Sequence, residues 1–405
     1  MGSRAASGRA LTLAAMSNSS GAPSTSDAAV RTPRRPRVLH FVTGGFSGAT
    51  QVALDLVRGH LAGDQFEPLL VLRRKPHTDQ SRVDALVAEG IPVELVAGWA
   101  HIATVMQLVN VCKRFQPDIL VAHGFSEHLW GRYAGLLAHV PHLVHVEHNS
   151  RERYTWSRTR QMLWLAERTD AIVGCSEGVR QALLARGSPL PKTIAISNGI
   201  RTAPFAGAAE HPWRERIPGI VMAARFARQK DHTTLLKAIA LLRERGHKPP
   251  VQLAGGGKAS AQKNARKLSE QLQLTDQVEF LGHHKDVPGL LMKHQICMLS
   301  THYEGMPLSL IEGMAAGCTA IGTRAPGVQE VIDHERNGLL VEHENVQSLA
   351  DAIEHVLTHP EDGERLAAAG QQDAHTLYTL ERMISRYEAL FQQIMAGQNK
   401  DFSQL

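Results

Sequence analysis

From Arg37 onward the chain alternates short runs rich in Val, Ile and Leu with longer amphipathic stretches, and it does so twice. The first series reads RVLHFVTG, FEPLLVLR, IPVELVAG, DILVAHG, HLVHVEH, AIVGCS and TIAISNG. Runs this short and this apolar, mostly followed by a helix-length segment, describe strands of a doubly wound parallel sheet. After NGIRTAPFAGAAEHPW, a segment bearing Gly, Ala and Pro, the pattern restarts with GIVMAARF, VQLAGGG, VEFLG, ICMLS, TAIGT and GLLVE. The expected fold is therefore α/β, with two Rossmann-like domains in tandem. A length of 405 residues, more than a single core usually organises, agrees with that division. Residues 37–203 are expected to form the first domain and 204–385 the second. Residues 386–405 are expected as a terminal helix or tail that packs back on the first domain.

Residues 1–36 stand apart from this pattern. Arg4, Arg9, Arg31, Arg34 and Arg35, with Arg37 at the junction, face only Asp27, so the tail holds the whole formal excess of +5. The rest of the chain balances, which argues against a polyanion-binding surface spread over the fold and against a nucleic-acid partner. Rich in Ser, Ala, Gly and Pro and poor in large apolar residues, the tail is expected to be disordered. Met16 is a candidate alternative start. LTLAAM is shorter than a signal-peptide core, and no uninterrupted apolar stretch approaches the ~18 residues of a spanning helix. Cys112, Cys175, Cys297 and Cys318 lie far apart with no CxxC pair, so neither a disulfide framework nor a thiolate zinc site is expected. The expectation is a soluble, cytoplasmic protein.

In open parallel sheets ligands sit at the carboxyl ends of the strands, so two facing sheets define a cleft, and strand ends are where chemistry is sought. HYEGMPLSLIEGMAAG places Glu304 in the loop after ICMLS and Glu312 in the second turn of the following helix, with Pro307 at a first-turn position. The start of that helix, with Gly305 beside it, offers N–H groups to a phosphate or a hydroxyl. ARFARQK ends the first strand of the second domain with Arg225 and Lys230, cations able to hold a diphosphate. Each pair alone also reads as solvated surface charge. Together on one sheet they describe sites for a diphosphate and for sugar hydroxyls.

With these pieces in order, residues from about Arg37 to His359 resemble the GT-B fold retaining glycosyltransferases of family 4. The matching segments are TGGFSGAT, VEHN, VGCSEGV, ISNGI, ARFARQK, VEFLG, STHYEGMPLSLIEGMAAG, GVQEVI and NGLLV. The E-x7-E spacing from Glu304 to Glu312 is the most specific of them. The resemblance implies Arg225 and Lys230 at the diphosphate and Glu312 at the nucleotide ribose. It implies Glu304 and the backbone of Gly305, Met306, Pro307 and Leu308 at the donor sugar, and His148 beside the reacting sugar. Gly45, in the turn after the first strand, is expected to let backbone approach the donor phosphate or the acceptor. The family often has Ala and Pro where this chain has Gly313 and Cys318, which implies a looser turn under the donor. The implied activity is transfer of a sugar from a nucleotide-diphosphate sugar to a glycan or lipid-linked acceptor, in cell-surface polysaccharide or glycolipid synthesis. No metal or other cofactor is implied, since there is no D-x-D in the chain. Sugar-phosphate synthases and phosphorylases of the same fold share these residues.

Two other classes compete. GCSEG, with Ser176 after a strand and before a helix, matches the G-x-S-x-G elbow of a serine hydrolase, although Ser at a helix N-cap needs no catalytic reason. A non-catalytic nucleotide-sugar binder would keep the donor residues but could lose His148 or the Gly44–Gly45 turn. GGGK at 255–258 misses P-loop spacing and reads as a tight turn beneath a nucleotide. His123, closing ILVAHG, is a weaker candidate for the site. HLVHVEH raises a metal site, but alternation puts His145 on the opposite strand face from His142 and His148. SRERYTWSRTRQMLWLAER mixes Arg151, Arg153, Arg158, Arg160 and Arg168 with Tyr154, Trp156 and Trp164. It reads either as an amphipathic helix with solvated arginines or as a peripheral contact with the anionic inner face of a membrane.

Overall fold

Apolar runs that cannot face water on either side pair only with one another, and they do so here in two parallel sheets. The computed structural model describes residues 34–76, 78–151, 154–397 and 402. The tail expected over residues 1–36 therefore lies almost wholly outside the described residues, as does Arg153. In the first lobe, strands β1 (Arg37–Thr43), β2 (Glu67–Arg73), β3 (Val93–Val96), β4 (Ile119–His123), β5 (His142–Glu147), β6 (Ala171–Gly174) and β7 (Thr193–Ala195) form a 7-stranded sheet. Between them run α1 (Gly48–Gly63), α2 (Gln80–Ala88), α3 (His101–Phe115), α4 (Glu127–Leu137), α5 (Trp156–Glu167) and α6 (Glu177–Ala185). The strand order is β3-β2-β1-β4-β5-β6-β7, with Val38 opposite both Pro68 and Ile119.

The second lobe repeats the plan. Strands β8 (Ile217–Ala223), β9 (Val251–Ala254), β10 (Val278–Gly282), β11 (His294–Leu299), β12 (Thr319–Thr323) and β13 (Leu339–Val341) form a 6-stranded parallel sheet in the order β10-β9-β8-β11-β12-β13. Its helices are α7 (His232–Glu244), α8 (Ala259–Gln271), α9 (Val287–Met292), α10 (Leu308–Ala315), α11 (Val346–Thr358) and α12 (Pro360–Leu377). This is the α/β, GT-B-like pairing of two Rossmann-like sheets that the apolar runs announce. In each sheet the chain reverses its direction of winding once, between β1 and β4 and between β8 and β11, and the loops leaving those strands diverge to open a crevice.

After α12 the chain returns to the first lobe as α13 (Leu380–Met395). The return falls at Tyr378–Leu380, upstream of the boundary expected between 385 and 386. Tyr378 closes α12 and Thr379 caps α13, its hydroxyl accepting from the Arg382 amide at 3.2 Å. The segment 198–201 leaving the first lobe lies directly alongside: Ile200 N donates to Tyr378 O at 2.8 Å and Leu380 N to Ile200 O at 2.9 Å. A Cβ on Gly199 would sit 2.2 Å from Thr379 O, so the close approach of the two crossings requires glycine. Met383, Tyr387, Leu390, Phe391 and Ile394 then complete a core with Val38, Ile119, Val144, Val173 and the inner face of α1.

Candidate functional site

The loops leaving β1, β4 and β5 in the first lobe and β8 and β11 in the second line a cleft of about 640 Å³. Arg225, on the loop after β8, is exposed and has no ion-pair partner among the described residues. The loop that carries it is braced by the glycine turn after β9. Phe226 N donates to Gly256 O at 2.7 Å, and a Cβ on Gly257 would sit 2.4 Å from Phe226 O. Gly255 to Lys258 do not line the cleft themselves; the turn supports the Arg225 loop from behind.

Lys230 Nζ lies 2.5 Å from Glu304 Oε1, and both side chains are nearly buried. Glu304 Oε1 also accepts from Thr301 Oγ1 at 2.7 Å, and Oε2 from Gln229 Nε2 at 3.2 Å. The carboxylate is thus held by a cation, a hydroxyl and an amide before any ligand arrives. Gly305, Met306, Pro307, Leu308 and Ser309 follow it along the cleft wall. Pro307 stands at the N-cap of α10, one position earlier than expected, and its fixed φ of −83° sets up the first turn. Glu312 does not line the cleft. It is half-buried on α10, with no hydrogen bond or ion pair among the described residues, and burial pushes its carboxyl up to about 7.

The first lobe meets these groups with helix starts and histidines. Ser47, Gly48 and Ala49, at the N-terminus of the sixteen-residue α1, line the cleft, and its first turn carries no acid. Gly45 is exposed and outside the lining, whereas its neighbour Gly44 is wedged against β2, where a Cβ would meet Arg73 O at 2.7 Å. His148 follows β5 and faces the cleft; burial lowers its pKa to about 4. Its Nε2 lies 3.2 Å from His123 Nδ1, and His123 Nε2 lies 3.1 Å from His40 Nδ1. Burial also holds His123 and His40 well below the usual imidazole range. A neutral imidazole has one N–H, so the chain of three can donate in only one direction at a time.

The lobes touch beside this point. Ser150 Oγ donates to Glu304 O at 3.0 Å, and a Cβ on Gly305 would lie 2.0 Å from His148 O. A second contact involves Ser176. Its hydroxyl accepts from Val179 N at 3.3 Å as the N-cap of α6 and approaches Glu330 Oε1 at 3.2 Å. Glu330 Oε1 also accepts from Gly178 N at 2.9 Å. Ser176 is buried and has no histidine among its hydrogen-bond partners in the described residues, so the G-x-S-x-G match is a helix cap and an inter-lobe contact, not a nucleophile elbow.

Sequence reasoning missed several lining residues. Lys75, beyond the end of β2, lies 2.9 Å from Glu127 Oε1, and the buried Arg73 lies 3.1 Å from the same atom. Ser126, between them, adopts a left-handed φ of +69°. The cations of LRRK at a strand end were the available signal; Glu127, on the next but one strand's loop, gave none. Asn149, Asn198 and Gln229 also line the cleft. His128, His145 and Glu147 have ligand atoms within 4.8 Å of one another, an arrangement invisible in HLVHVEH because His128 comes from α4. Arg132 NH2 lies 2.6 Å from His128 Nδ1, His128 Nε2 lies 2.9 Å from the Tyr154 hydroxyl, and that hydroxyl donates to Glu147 Oε2 at 3.0 Å. A guanidinium so close disfavours a divalent ion. His302, His343 and Glu344 form a second, more exposed group of the same kind.

The pattern described as glycosyl transferases group 1 matches residues 208–373, and that of glycosyltransferase family 4 matches residues 46–204. A putative glycosyltransferase, EpsD of Bacillus subtilis, is 27% identical over 241 residues, which cover 56% of this chain and 62% of that protein. A GDP-mannose-dependent alpha-(1-6)-phosphatidylinositol monomannoside mannosyltransferase of Mycobacterium tuberculosis is 25% identical over 224 residues, covering 51% of this chain and 58% of that one. These matches span about three fifths of the relatives' own length. Among solved structures, Anabaena HepE in complex with UDP and glucose superposes with a TM-score of 0.76 at 18% identity, covering 89% of this chain and all of HepE. Sucrose-phosphate synthase of Thermosynechococcus elongatus superposes with a TM-score of 0.73 at 18% identity, covering 90% of this chain and all of that structure.

Proposed function

Because the chain belongs to the group 1 glycosyltransferases, one family pattern covering each lobe, we propose that its cleft moves a sugar from a nucleotide-diphosphate sugar to a glycan or lipid-linked acceptor with retention of anomeric configuration. The observation that carries this reading is the meeting in one cleft of Arg225, Lys230, Glu304 and the start of α10 from one lobe with His148 and the start of α1 from the other. The departing diphosphate develops negative charge as the anomeric bond breaks. Two cations and two helix N-termini at fixed positions stabilise that charge without reorganisation. These groups stand where a metal would otherwise act, so transfer is expected to continue in the presence of a chelator.

Glu304 has two roles in this reading. It orients the Lys230 ammonium and, through its second oxygen, accepts a hydroxyl of the donor sugar. Glu312, uncommitted on α10, takes the ribose hydroxyls. His148, held neutral, gives or accepts one hydrogen bond at the reacting sugar and does not act as an acid. Each carboxylate lining the cleft is already engaged: Glu304 by Lys230, Glu127 by Arg73 and Lys75, and Glu147 by Tyr154 and the His148 amide. None is free as a covalent nucleophile, which supports same-face attack by an acceptor hydroxyl whose proton passes to the leaving phosphate. A glycosyl adduct trapped on any side chain would contradict this.

The complexes of HepE with UDP and the name of the mycobacterial relative make uridine and guanosine diphosphate sugars the first donors to test. The decisive experiment is a thermal-shift panel of nucleoside diphosphates and their sugars on the wild type and on Arg225→Ala and Glu312→Ala. One nucleotide class that stabilises the wild type and neither variant supports the site. A folded wild type indifferent to every nucleotide rejects it. The reading places the enzyme in surface-polysaccharide or glycolipid synthesis.

A further inference from the structure

Six of the eleven exposed large apolar side chains among the described residues fall on one stretch of the first lobe: Trp99, Ile102, Met106, Leu137, Trp156 and Trp164. Trp99, Ile102 and Trp156 are 84%, 80% and 75% exposed, well beyond what a scattered surface residue shows. They sit on α3, α4 and α5 and the loop before α3, three helices that the winding of the sheet places side by side, with α4 in the middle.

The side chains form stripes. On α5, Trp156, Arg160, Trp164 and Arg168 recur every four residues, along one helix face. The Arg160 guanidinium lies 4.8 Å from the centre of the Trp156 ring and Arg168 lies 3.9 Å from that of Trp164. Tyr133 of α4 stacks on Trp164 at 6.0 Å and on Trp130 at 6.4 Å, and Trp130 stacks on His101 of α3 at 4.3 Å. Aromatic rings therefore run without a break from α5 across α4 to α3. Lys113, Arg114, Arg160 and Arg168 are exposed cations on or at the ends of these helices; Arg114 pairs with Glu94 at 2.6 Å and Arg168 with Glu167 at 3.5 Å, while Lys113 and Arg160 have no ion pair among the described residues.

We propose that this face is a docking surface for an anionic lipid bilayer. Trp and Tyr are suited to the headgroup level, where an apolar ring and a polar N–H or O–H each find their solvent. Arginines laid over those rings keep the aliphatic stem on the apolar side and the guanidinium at the phosphates. The arrangement fits other partners poorly. Single-stranded nucleic acid would need free ring faces for its bases, and on Trp164 these are taken by Arg168 and Tyr133. A symmetric contact with a second copy would set the arginine stripe against itself.

The position of the face gives docking a use. The amino ends of α4 and α5 begin at the β4 and β5 loops that line the cleft, and Trp156 is seven residues beyond Asn149 of that lining. A bilayer on this face would lie at the acceptor-side mouth. Selection of a lipid-anchored acceptor from the membrane plane follows if the transferase reading is right; the docking itself does not depend on it. No helix among the described residues is long and apolar enough to cross a membrane, so attachment would be peripheral.

Vesicle flotation tests the proposal without any donor or acceptor. The full chain is expected to float with phosphatidylcholine vesicles containing phosphatidylglycerol and to stay in solution with phosphatidylcholine alone, and raised salt should weaken the binding. W156E and R160E/R168E are each expected to lower partitioning by about tenfold or more, with melting temperatures kept near the wild type. Leu377→Glu, an exposed apolar position on α12, serves as the control and should bind as the wild type does. Absence of binding to the anionic vesicles overturns the proposal. So does binding that survives both face variants, which would assign it to another part of the chain. Self-association or single-stranded oligonucleotide binding that the variants abolish, without lipid binding, would give the face to those partners instead.

Discussion

The two glutamates of the E-x7-E segment, alike in sequence, sit in opposite electrostatic settings. Glu304 is compensated by Lys230, Thr301 and Gln229, whereas Glu312 is half-buried with no hydrogen bond or ion pair among the described residues, and burial pushes its carboxyl up to about 7. Its raised pKa makes it a destabilising group above the carboxylate range. From pH 4.5 to about 7 the unfolded chain gives up this proton while the folded chain keeps it, so stability falls with rising pH, by up to about 3 kcal/mol. Glu312→Gln is therefore expected to raise the melting temperature of the ligand-free protein at pH 8 and to leave it unchanged at pH 4, while removing stabilisation by nucleotide. Equal melting temperatures of wild type and variant at pH 8 would show that the carboxyl is not strained. At Lys230 the expectation is reversed. Removing one partner of a nearly buried pair strands the other, at about 3 kcal/mol for Lys230→Met. The double variant with Glu304→Gln should cost less than the two singles combined, by about 1 kcal/mol or more in a denaturant-unfolding cycle. The sequence exposed these residues as candidates because both lie at strand ends. It could not expose their pairing, which joins positions 74 apart. Nor could it show that Gly45 stands outside the cleft while Ser47 and Gly48 line it, since that depends on the Phe46 backbone taking a left-handed φ of +47°.

Elements were more legible than residues, and the reason is physical. A strand buried on both faces reads as a near-continuous apolar run, and β4 and β11, buried along their whole length, carry ILVA and ICML as that signal. The break between α12 and α13 was missed because both helices are amphipathic and the signal separating them is one threonine. What helices and loops do to each other across the cleft was not legible at all, and the glycines show it. At Gly305 a methyl group would meet the His148 carbonyl oxygen, which belongs to the backbone of the opposite lobe and cannot move aside. At Gly178 it would meet the tip of the flexible Glu330 side chain, at 2.3 Å. Gly305→Ala should thus leave each lobe folded yet hold the lobes apart by an ångström or more. Turnover is expected to fall on the order of 100-fold with little change in melting temperature, given the sensitivity of transfer to misplacement. Gly178→Ala should cost about 1 kcal/mol through the lost amide contact to Glu330 and leave turnover within a few-fold. Comparable turnover in the two variants would mean that the lobe contact at Gly305 is not part of the working state.

For the molecule as a whole the decisive number is that of buried neutral histidines in one lobe. His40, His60, His123, His128, His145 and His148 all lie in or against the first sheet, and burial lowers the pKa of each. Below pH 6.5 the unfolded chain takes up protons that the folded chain refuses, so stability is lost as the pH falls. For a group shifted to about 4, such as His60, the loss is complete near pH 4 and amounts to about 3 kcal/mol. Glu312 works in the other direction across part of the same range, but it is one group against six. The protein is therefore expected to weaken steeply between pH 6.5 and 4. Hydrogen exchange should report the loss in β1, β4 and β5 before β8 and β11, because the second sheet carries fewer such groups. His60 lies outside the cleft lining, with its ring 5.3 Å from that of His40 at the far end of the histidine chain. Both its ring nitrogens are buried without partners, and it packs against Phe66 and Phe391, beneath α13. His60→Leu keeps an apolar side chain there and removes the titration, whatever its packing offset at pH 7. The gap in unfolding free energy between variant and wild type should then widen in favour of the variant by about 3 kcal/mol from pH 6.5 to 4. Parallel curves would mean that His60 is already protonated in the folded state, or that water reaches it beneath α13, and the acid sensitivity would have to come from the carboxylates.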